Sequence, residues 1–206
     1  MEYNQEWLDL LAAEDTCNFL EDVHGWNNHR PLLYLALELS GNGDILELGC
    51  GEGSTNHLHA YGYEIGRNLI SYDYNQDWLD KFLHLQEVVK APTHEFFTTK
   101  IPQRLTNAIE MFTKENKVSV CLVDHSPGER RWEDVRDIAN RVDFVVIHDS
   151  ELAATGYLLD RIWPLYKYRI NLNSEGACAA LVSNTFDVGV FDGMHLGRFL
   201  LEKRIA

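Results

Sequence analysis

Two rhythms of apolar and polar positions run along this chain. Short apolar runs at Ile45–Leu48, Leu69–Tyr72, Val118–Val123 and Phe144–Ile147 read as strands, and each is followed within two residues by an acidic or glycine position. Between them, apolar residues recur at helical spacing. Helices are predicted over 31–40, from Ser54 to Ala60, over 75–90 (Trp78, Leu79, Phe82, Leu83, Leu85, Val89), over 102–115 and over the highly charged 129–141. Pro31 suits a first helical turn, and Ser40-Gly41-Asn42-Gly43 suits a stop. Residues 93–99 read as a short further strand, although Thr98-Thr99-Lys100 leads straight into Ile101-Pro102.

Residues 5–13 and 16–24 read as two more helices, with Trp7, Leu8, Leu10 and Leu11 on one face and Phe19, Leu20 and Val23 on another. Toward the other end, 156–163 reads as a helix stopped by Pro164. Tyr166–Asn171 and Ala177–Ser183, separated by Asn173-Ser174-Glu175-Gly176, read as a hairpin, and Leu196–Arg204 as a last helix. Five β/α units followed by a hairpin predict an α/β fold, an open and mostly parallel sheet with an antiparallel end. Residues 1–40 form an expected N-terminal helical cap, a cover for the sheet edge or a lid, and 41–206 the main domain.

Composition narrows the partners. The 206 residues, 45% hydrophobic, suit one full core. Asp plus Glu number 32 and Lys plus Arg 18, a net charge of −14 that repels phosphate. The short basic stretch Arg130, Arg131 and Arg136 is interleaved with Glu133, Asp134 and Asp137, so nucleic acid is disfavoured and a small-molecule acceptor is expected. A homo-oligomer is compatible with the sequence. Cys17, Cys50, Cys121 and Cys178 are far apart, with no CxxC, and read as buried free thiols of a reducing compartment. The first residues are acidic and polar, unlike a signal peptide, and no apolar run reaches the roughly 20 residues that span a bilayer. A cytoplasmic protein without a membrane anchor is the expectation.

In open α/β sheets, ligands sit beyond the carboxyl ends of the strands. The residues there are Glu47 with the turn Gly49–Gly53, then Asp73, Asp124-His125 and His148-Asp149-Ser150. Glycine lets a turn take φ > 0 and approach a ligand. Asp73, about 20 residues past the turn, can accept both hydroxyls of a ribose. The turn has glycine at 49, 51 and 53, with Glu47 before it and Glu52 inside it. A second negative charge opposes a pyrophosphate and tolerates a cationic sulfonium. Tyr72 and Tyr74 flank Asp73, and either could lie against adenine. Arg130 and Arg131 would sit at a helix N-terminus, against the dipole; such a broken rule points either to binding of an acidic acceptor or to ion pairs with Glu133, Asp134 or Glu151. Trp26 to Arg30 is a polar, aromatic connection, either surface loop or part of a pocket. His57 and His59, two apart on one helix, read as structural.

Ile45-Leu-Glu-Leu-Gly-Cys-Gly-Glu-Gly-Ser-Thr55 resembles motif I of the class I S-adenosylmethionine (SAM)-dependent methyltransferases, and Leu69-Ile-Ser-Tyr-Asp73 resembles their second motif. The resemblance implies a Rossmann-like, seven-stranded sheet and SAM as cofactor. Glu47 would orient the turn and the methionine ammonium, and Asp73 would hold the ribose. Gly49, Cys50, Gly51, Gly53, Ser54, Tyr74 and Asp124 complete the implied cofactor set. Leu122-Val-Asp-His125 and Ile147-His-Asp-Ser150 resemble the metal-dependent, catechol-type O-methyltransferases. That likeness implies Mg²⁺ or another divalent cation on Asp124 and Asp149, with Ser150 where the family has Asn. Imidazole suits softer ions, so His148 with the two aspartates is an alternative set. The family's lysine base falls at Pro127 here. His125 or His148 would then take the proton, giving Asp124, His125, His148 and Asp149 as the catalytic set. The implied activity is methyl transfer to a hydroxyl oxygen. The missing Lys and Asn also leave open a catalytically silent SAM-binding scaffold, and the glycine turn leaves open a nicotinamide-dependent oxidoreductase.

Overall fold

The computed structural model describes residues 29–88, 92–115, 118–150, 157–174 and 177–191. Helix α1 spans Arg30–Leu39 and β1 spans Asp44–Leu48. Then come α2 (Thr55–Ile65), β2 (Leu69–Asp73), α3 (Gln76–Leu79), α4 (Leu85–Val88) and β3 (His94–Thr98). Next are α5 (Pro102–Glu115), β4 (Val118–Val123), α6 (Arg131–Ile138) and β5 (Phe144–His148). The last strands are β6 (Tyr168–Ser174) and β7 (Ala177–Ser183). The seven strands form one sheet in the order β3-β2-β1-β4-β5-β7-β6, with β7 antiparallel to both neighbours and the rest parallel. This is the class I methyltransferase (Rossmann-like) arrangement that the motif order implied. The order reverses between β1 and β4, so the glycine turn after β1 lies at the switch point.

Strand alternation sorts the core into two layers. Leu46, Leu48, Ile70, Tyr72, Cys121, Val123, Val145 and Ile147 face α5 and α6. Ile45, Leu69, Val120, Leu122, Phe144 and Val146 face α1 and α2. Helix α1 is an inner layer: Leu32, Leu33, Leu35 and Leu37 are buried on this second face, each worth about 2 kcal/mol in transfer from water. Of the expected cap, only this helix lies within the described residues; the helices expected at 5–13, 16–24 and 196–204 lie outside them.

Several expected elements differ in extent. The helix expected over 75–90 is two short helices with turns between, because Leu79, Phe82 and Leu85 all turn inward. The helix expected over 156–163 is a pair of 3₁₀ turns, Leu159–Arg161 and Trp163–Leu165, within the described residues. The hairpin's first strand begins at Tyr168 and runs to Ser174, later than expected. Cys50 and Cys121 are buried free thiols and Cys178 is partly buried. Among the described residues no helix is long and apolar enough to cross a membrane.

Candidate active site

The same alternation decides which strand-end residues meet. On the α1–α2 face, Ile45 is followed two positions on by Glu47, Leu69 by Ser71 and then Asp73, Leu122 by Asp124, and Val146 by His148. The polar ends of four strands therefore converge on one side. His125 continues the other face after Val123.

At the first of these positions, Glu47 is fully buried (0% exposed) and accepts hydrogen bonds from Ser54 Oγ (2.7 Å), Thr55 Oγ1 (3.0 Å) and Ser71 Oγ (2.6 Å). It pins the start of α2 and the end of β2 to the turn and does not line the cleft. Ser71 also meets His94 Nε2 at 2.9 Å, and His94 Nδ1 lies 2.9 Å from His59 Nδ1. Burial raises Glu47 from an ordinary 4.5 to about 7, against the opposing pull of its three hydroxyl partners. Between those values the native state keeps a proton that the unfolded state has lost, so stability falls as pH rises through the window and levels off above it. Relative to Glu47→Gln, the protein is expected to lose about 3 kcal/mol across the window. Urea melts of both proteins at a series of pH values measure this, and parallel curves would contradict it.

The turn is closed on itself. Gly49 has φ +107°, and its N–H donates to Tyr72 O at 2.7 Å. The Cys50 N–H donates to Asp73 Oδ2 (3.0 Å) and the Gly51 N–H to Thr55 Oγ1 (2.9 Å). The N–H groups of Ser54 and Thr55 both donate to Gly51 O, at 3.1 and 2.9 Å. Asp73 Oδ1 accepts from Asn75 N at 2.8 Å. Each Asp73 oxygen thus has one backbone partner and further lone pairs toward the cleft. Burial raises the pKa of Asp73. Trp78 Nε1 donates to Cys50 O (2.7 Å), and Arg30 Nε to Gly53 O (2.8 Å).

These groups line an open cleft of about 770 Å³. Its walls include Cys50 to Ser54, Asp73, Tyr74, Trp78, Asp124 and His148, with His29 and Arg30 from the start of α1. Of the two tyrosines, Tyr74 lines the cleft, whereas Tyr72 is in the core and donates its hydroxyl to Thr99 O at 2.9 Å. The connection ending at His29 and Arg30 is pocket wall at those two residues. In the sequence, Trp78 reads only as part of a helix face, and His29 only as one member of the 26–30 connection that could belong to a pocket. His29 is 3% exposed, its two ring nitrogens have no hydrogen-bond partner among the described residues, and its ring meets His148 edge-on at 4.7 Å. Burial, reinforced by His148, pushes it to about 3.

Beyond β4 and β5, Asp124, His148 and Asp149 hold oxygen or nitrogen atoms within 4.8 Å of one another. His148 Nδ1 lies at ion-pair distance from Asp124 Oδ1 (3.1 Å) and Asp149 Oδ1 (3.6 Å), and neither of its buried ring nitrogens makes a hydrogen bond among the described residues. Burial alone would raise Asp124, but His148 and Arg131 outweigh it and hold the carboxyl below the usual range. Burial would lower His148, yet the Asp124 carboxylate outweighs it and raises the imidazole. Asp149 has φ +49°, a sparsely populated conformation for a non-glycine residue.

Arg131 reaches back over this cluster. Its Nε donates to His125 O (2.9 Å), and its NH1 to His148 O (3.0 Å) and Asp149 Oδ2 (3.4 Å). Its NH2 donates to Asp124 O (3.1 Å) and lies 3.0 Å from Asp124 Oδ1. Arg130 instead pairs with Asp134 at 2.9 Å. Both arginines are thus engaged by the protein itself, Arg130 with two of the acids anticipated, Asp134 and, at 4.0 Å, Glu133, and Arg131 with two that were not. The expected metal pair Asp124 and Asp149 does come together, but with a guanidinium against both carboxylates, so the donor set does not fit a divalent ion as it stands. Ser150 is buried, and its N–H donates to Cys178 O at 2.8 Å. His125 lies on the far side, 1% exposed, with Nε2 3.0 Å from Asp134 Oδ2. It does not line the cleft, which removes the geometric basis for a proton-accepting role. His57 and His59 pack within the protein, His57 Nδ1 at 3.3 Å from the Tyr34 hydroxyl.

No protein-family model matches the sequence, and no curated protein matches it. Among solved structures, the chain is similar to spermidine synthase from Thermotoga maritima at 14% identity and a TM-score of 0.58, over 83% of this chain and 64% of that one. It spans less than two thirds of that enzyme's length. It is also similar to TomG, an O-methyltransferase from Streptomyces achromogenes in complex with SAM, at 11% identity and a TM-score of 0.54, over 88% of this chain and 91% of that one. A third similar structure is the METTL16 MTase domain, at 11% identity and a TM-score of 0.52, over 75% of this chain and 67% of that one. At these identities the likeness establishes the fold.

Proposed function

We propose that this chain binds SAM in the cleft and transfers its methyl group to a hydroxyl oxygen of a small molecule. The observation that carries the cofactor reading is the turn. The N–H groups of Gly49, Cys50, Gly51, Ser54 and Thr55 are spent inside the protein, which leaves a ligand only those of Glu52 and Gly53 in the turn. A pyrophosphate would need such N–H groups pointing at it. The cleft instead presents Glu52, Asp73 and Asp124 against Arg30, a field that suits a cation. This disfavours a nicotinamide dinucleotide. Asp73 is placed to accept the ribose hydroxyls.

SAM, when bound, would supply an electrophilic methyl carbon: the acceptor oxygen would bond to it as the C–S bond breaks, with S-adenosylhomocysteine as the leaving group. The chain's own part is to hold the acceptor and take its proton. With the Asp124 carboxylate at Nδ1, His148 keeps Nε2 as the proton-accepting nitrogen. Formally, two carboxylates and one guanidinium leave the cluster one negative charge in surplus, so a proton on His148 neutralises it. His29 offers a second imidazole at the same wall. An unpartnered buried polar group costs about 1–3 kcal/mol, and an acceptor hydroxyl, donor and acceptor at once, would relieve that cost.

The acidic lining favours one second reading, an amine acceptor. Incubation with methyl-labelled SAM and a panel of hydroxylated small molecules and amines separates these. Label on oxygen is the expected result. Label confined to nitrogen would move the reading to amines, and bound cofactor without transfer to any acceptor would favour a silent scaffold.

A further inference from the structure

We infer that Arg131 is the built-in cation of this site and occupies the role that a divalent metal fills where two strand-end aspartates act on an acceptor. The consequence for catalysis rests on the transferase reading above; the cation assignment itself does not.

A guanidinium has five N–H donors in a fixed fork. Here four hydrogen bonds reach the backbone oxygens of Asp124, His125 and His148 and one carboxylate oxygen of Asp149, and NH2 also forms an ion pair with Asp124 Oδ1. The three carbonyls belong to the ends of β4 and β5, the rigid centre of the sheet. Arg131 is 4% exposed, and Tyr157 covers its guanidinium at 4.5 Å from the ring centroid. The head group is therefore anchored by backbone as well as by side chains, and swinging aside for an ion would break its hydrogen bonds to three carbonyls, two of them in buried contacts.

Charge points the same way. Asp124 and Asp149 together would balance a dication. With the guanidinium 3.0 and 3.4 Å from their oxygens, only one formal negative charge is left over. A divalent ion would then face a fixed positive group at close range in a partly buried site. Hard divalent ions also need several oxygen ligands in open geometry, and the third expected position is the short, buried Ser150, whose backbone is held to β7. Arg131 also explains the strained Asp149: the left-handed backbone turns its carboxylate toward the guanidinium and His148. Arg131 is thus a positioning residue. It holds Asp124 and Asp149 in place and, through Asp124, sets the ring of His148.

The test is Mn²⁺ binding to the intact chain, followed by the paramagnetic resonance signal of the free ion. The wild-type protein is expected to show no saturable Mn²⁺ site that Asp149→Asn removes. Arg131→Met keeps the packing on Tyr157 and deletes the charge. It is expected to gain Mn²⁺ affinity roughly tenfold or more over wild type, and to lose that gain when Asp149→Asn is added. A merely structural arginine would destabilise the fold on removal without creating a metal site. A saturable wild-type site abolished by Asp149→Asn overturns the inference, as does a folded Arg131→Met protein that gains none. If Arg131→Met does not fold, the wild-type and Asp149→Asn titrations decide alone: Mn²⁺ binding that disappears with Asp149 overturns the assignment, and its absence upholds it. S-adenosylhomocysteine titrated into the same samples separates the two readings, because failure to bind it removes the transferase reading and leaves the Mn²⁺ result standing.

Discussion

His148→Gln is expected to lower the rate of methyl transfer by roughly 10²- to 10⁴-fold, the usual contribution of a positioned general base, while S-adenosylhomocysteine affinity stays close to wild type. The separation of effects follows from the geometry. His148 faces Asp124, Asp149 and His29 at the β4–β5 end of the cleft, whereas the turn and Asp73 form its other end. A base must be neutral to work. The Asp124 carboxylate prevails over burial and raises His148, so the rate is expected to climb with pH through a value above the ordinary 6.5 of histidine. Asp124→Asn removes that carboxylate's charge and should move the rising limb to lower pH while also reducing the rate. A His148→Gln protein with wild-type turnover, or a pH limb that Asp124→Asn leaves in place, would sink the assignment.

The second large effect is structural. Gly49→Ala is expected to cost about 3–5 kcal/mol, a large share of the roughly 5–15 kcal/mol that keeps a domain folded. A Cβ at position 49 would lie 2.5 Å from Asp124 C, 2.6 Å from His125 N and 2.7 Å from Asp124 O. All three are backbone atoms of the neighbouring strand end, held there by the 2.7 Å bond from Asp124 N to Leu48 O, so nothing soft can yield. The φ of +107° adds strain for any residue with a side chain. Urea denaturation measures the loss. By contrast, a Cβ on Gly51 would meet the Ser54 hydroxyl at 3.5 Å and Gly53 N at 3.9 Å, both ordinary contacts, so Gly51→Ala serves as the control expected to fold. Equal stabilities for the two variants would contradict this account of the turn.

Much of this site could be read from periodicity. Each strand announced itself as a short apolar run, and the period of two already separates His148 from His125. Carrying Val146 forward puts His148 on the α1–α2 face with Asp124, while carrying Val123 forward puts His125 beneath α6, where it meets Asp134. That step was available from sequence and distinguishes two histidines that the motif alone treats alike. Glu47 was legible as important but not in its role. Its position after Ile45 foretells burial, whereas the hydroxyls that surround it come from residues 7, 8 and 24 positions away.

Other features depend on contacts that no local pattern encodes. Arg131 stood out only as a cation at the wrong end of a helix. Its partners are the ends of two strands, and the fork of a guanidinium could match them only once β4 and β5 were side by side. His29 was hidden in a polar connection, and it becomes notable because α1 docks on the face that carries His148. The helix expected over 75–90 broke for a similar reason. Its apolar spacing is helical, but Trp78 is drawn to the carbonyl of Cys50, and Phe82 and Leu85 close a small cluster with Cys50 instead of continuing one stripe.

The central claim is that the turn and Asp73 form a SAM site, and calorimetric titration of the intact chain with S-adenosylhomocysteine and with NAD tests it most directly. Saturable binding of S-adenosylhomocysteine is predicted, weakened roughly 10- to 100-fold by Asp73→Ala through the loss of hydrogen bonds to a charged acceptor, with no saturable binding of NAD. Saturable NAD binding with no heat from S-adenosylhomocysteine would contradict it.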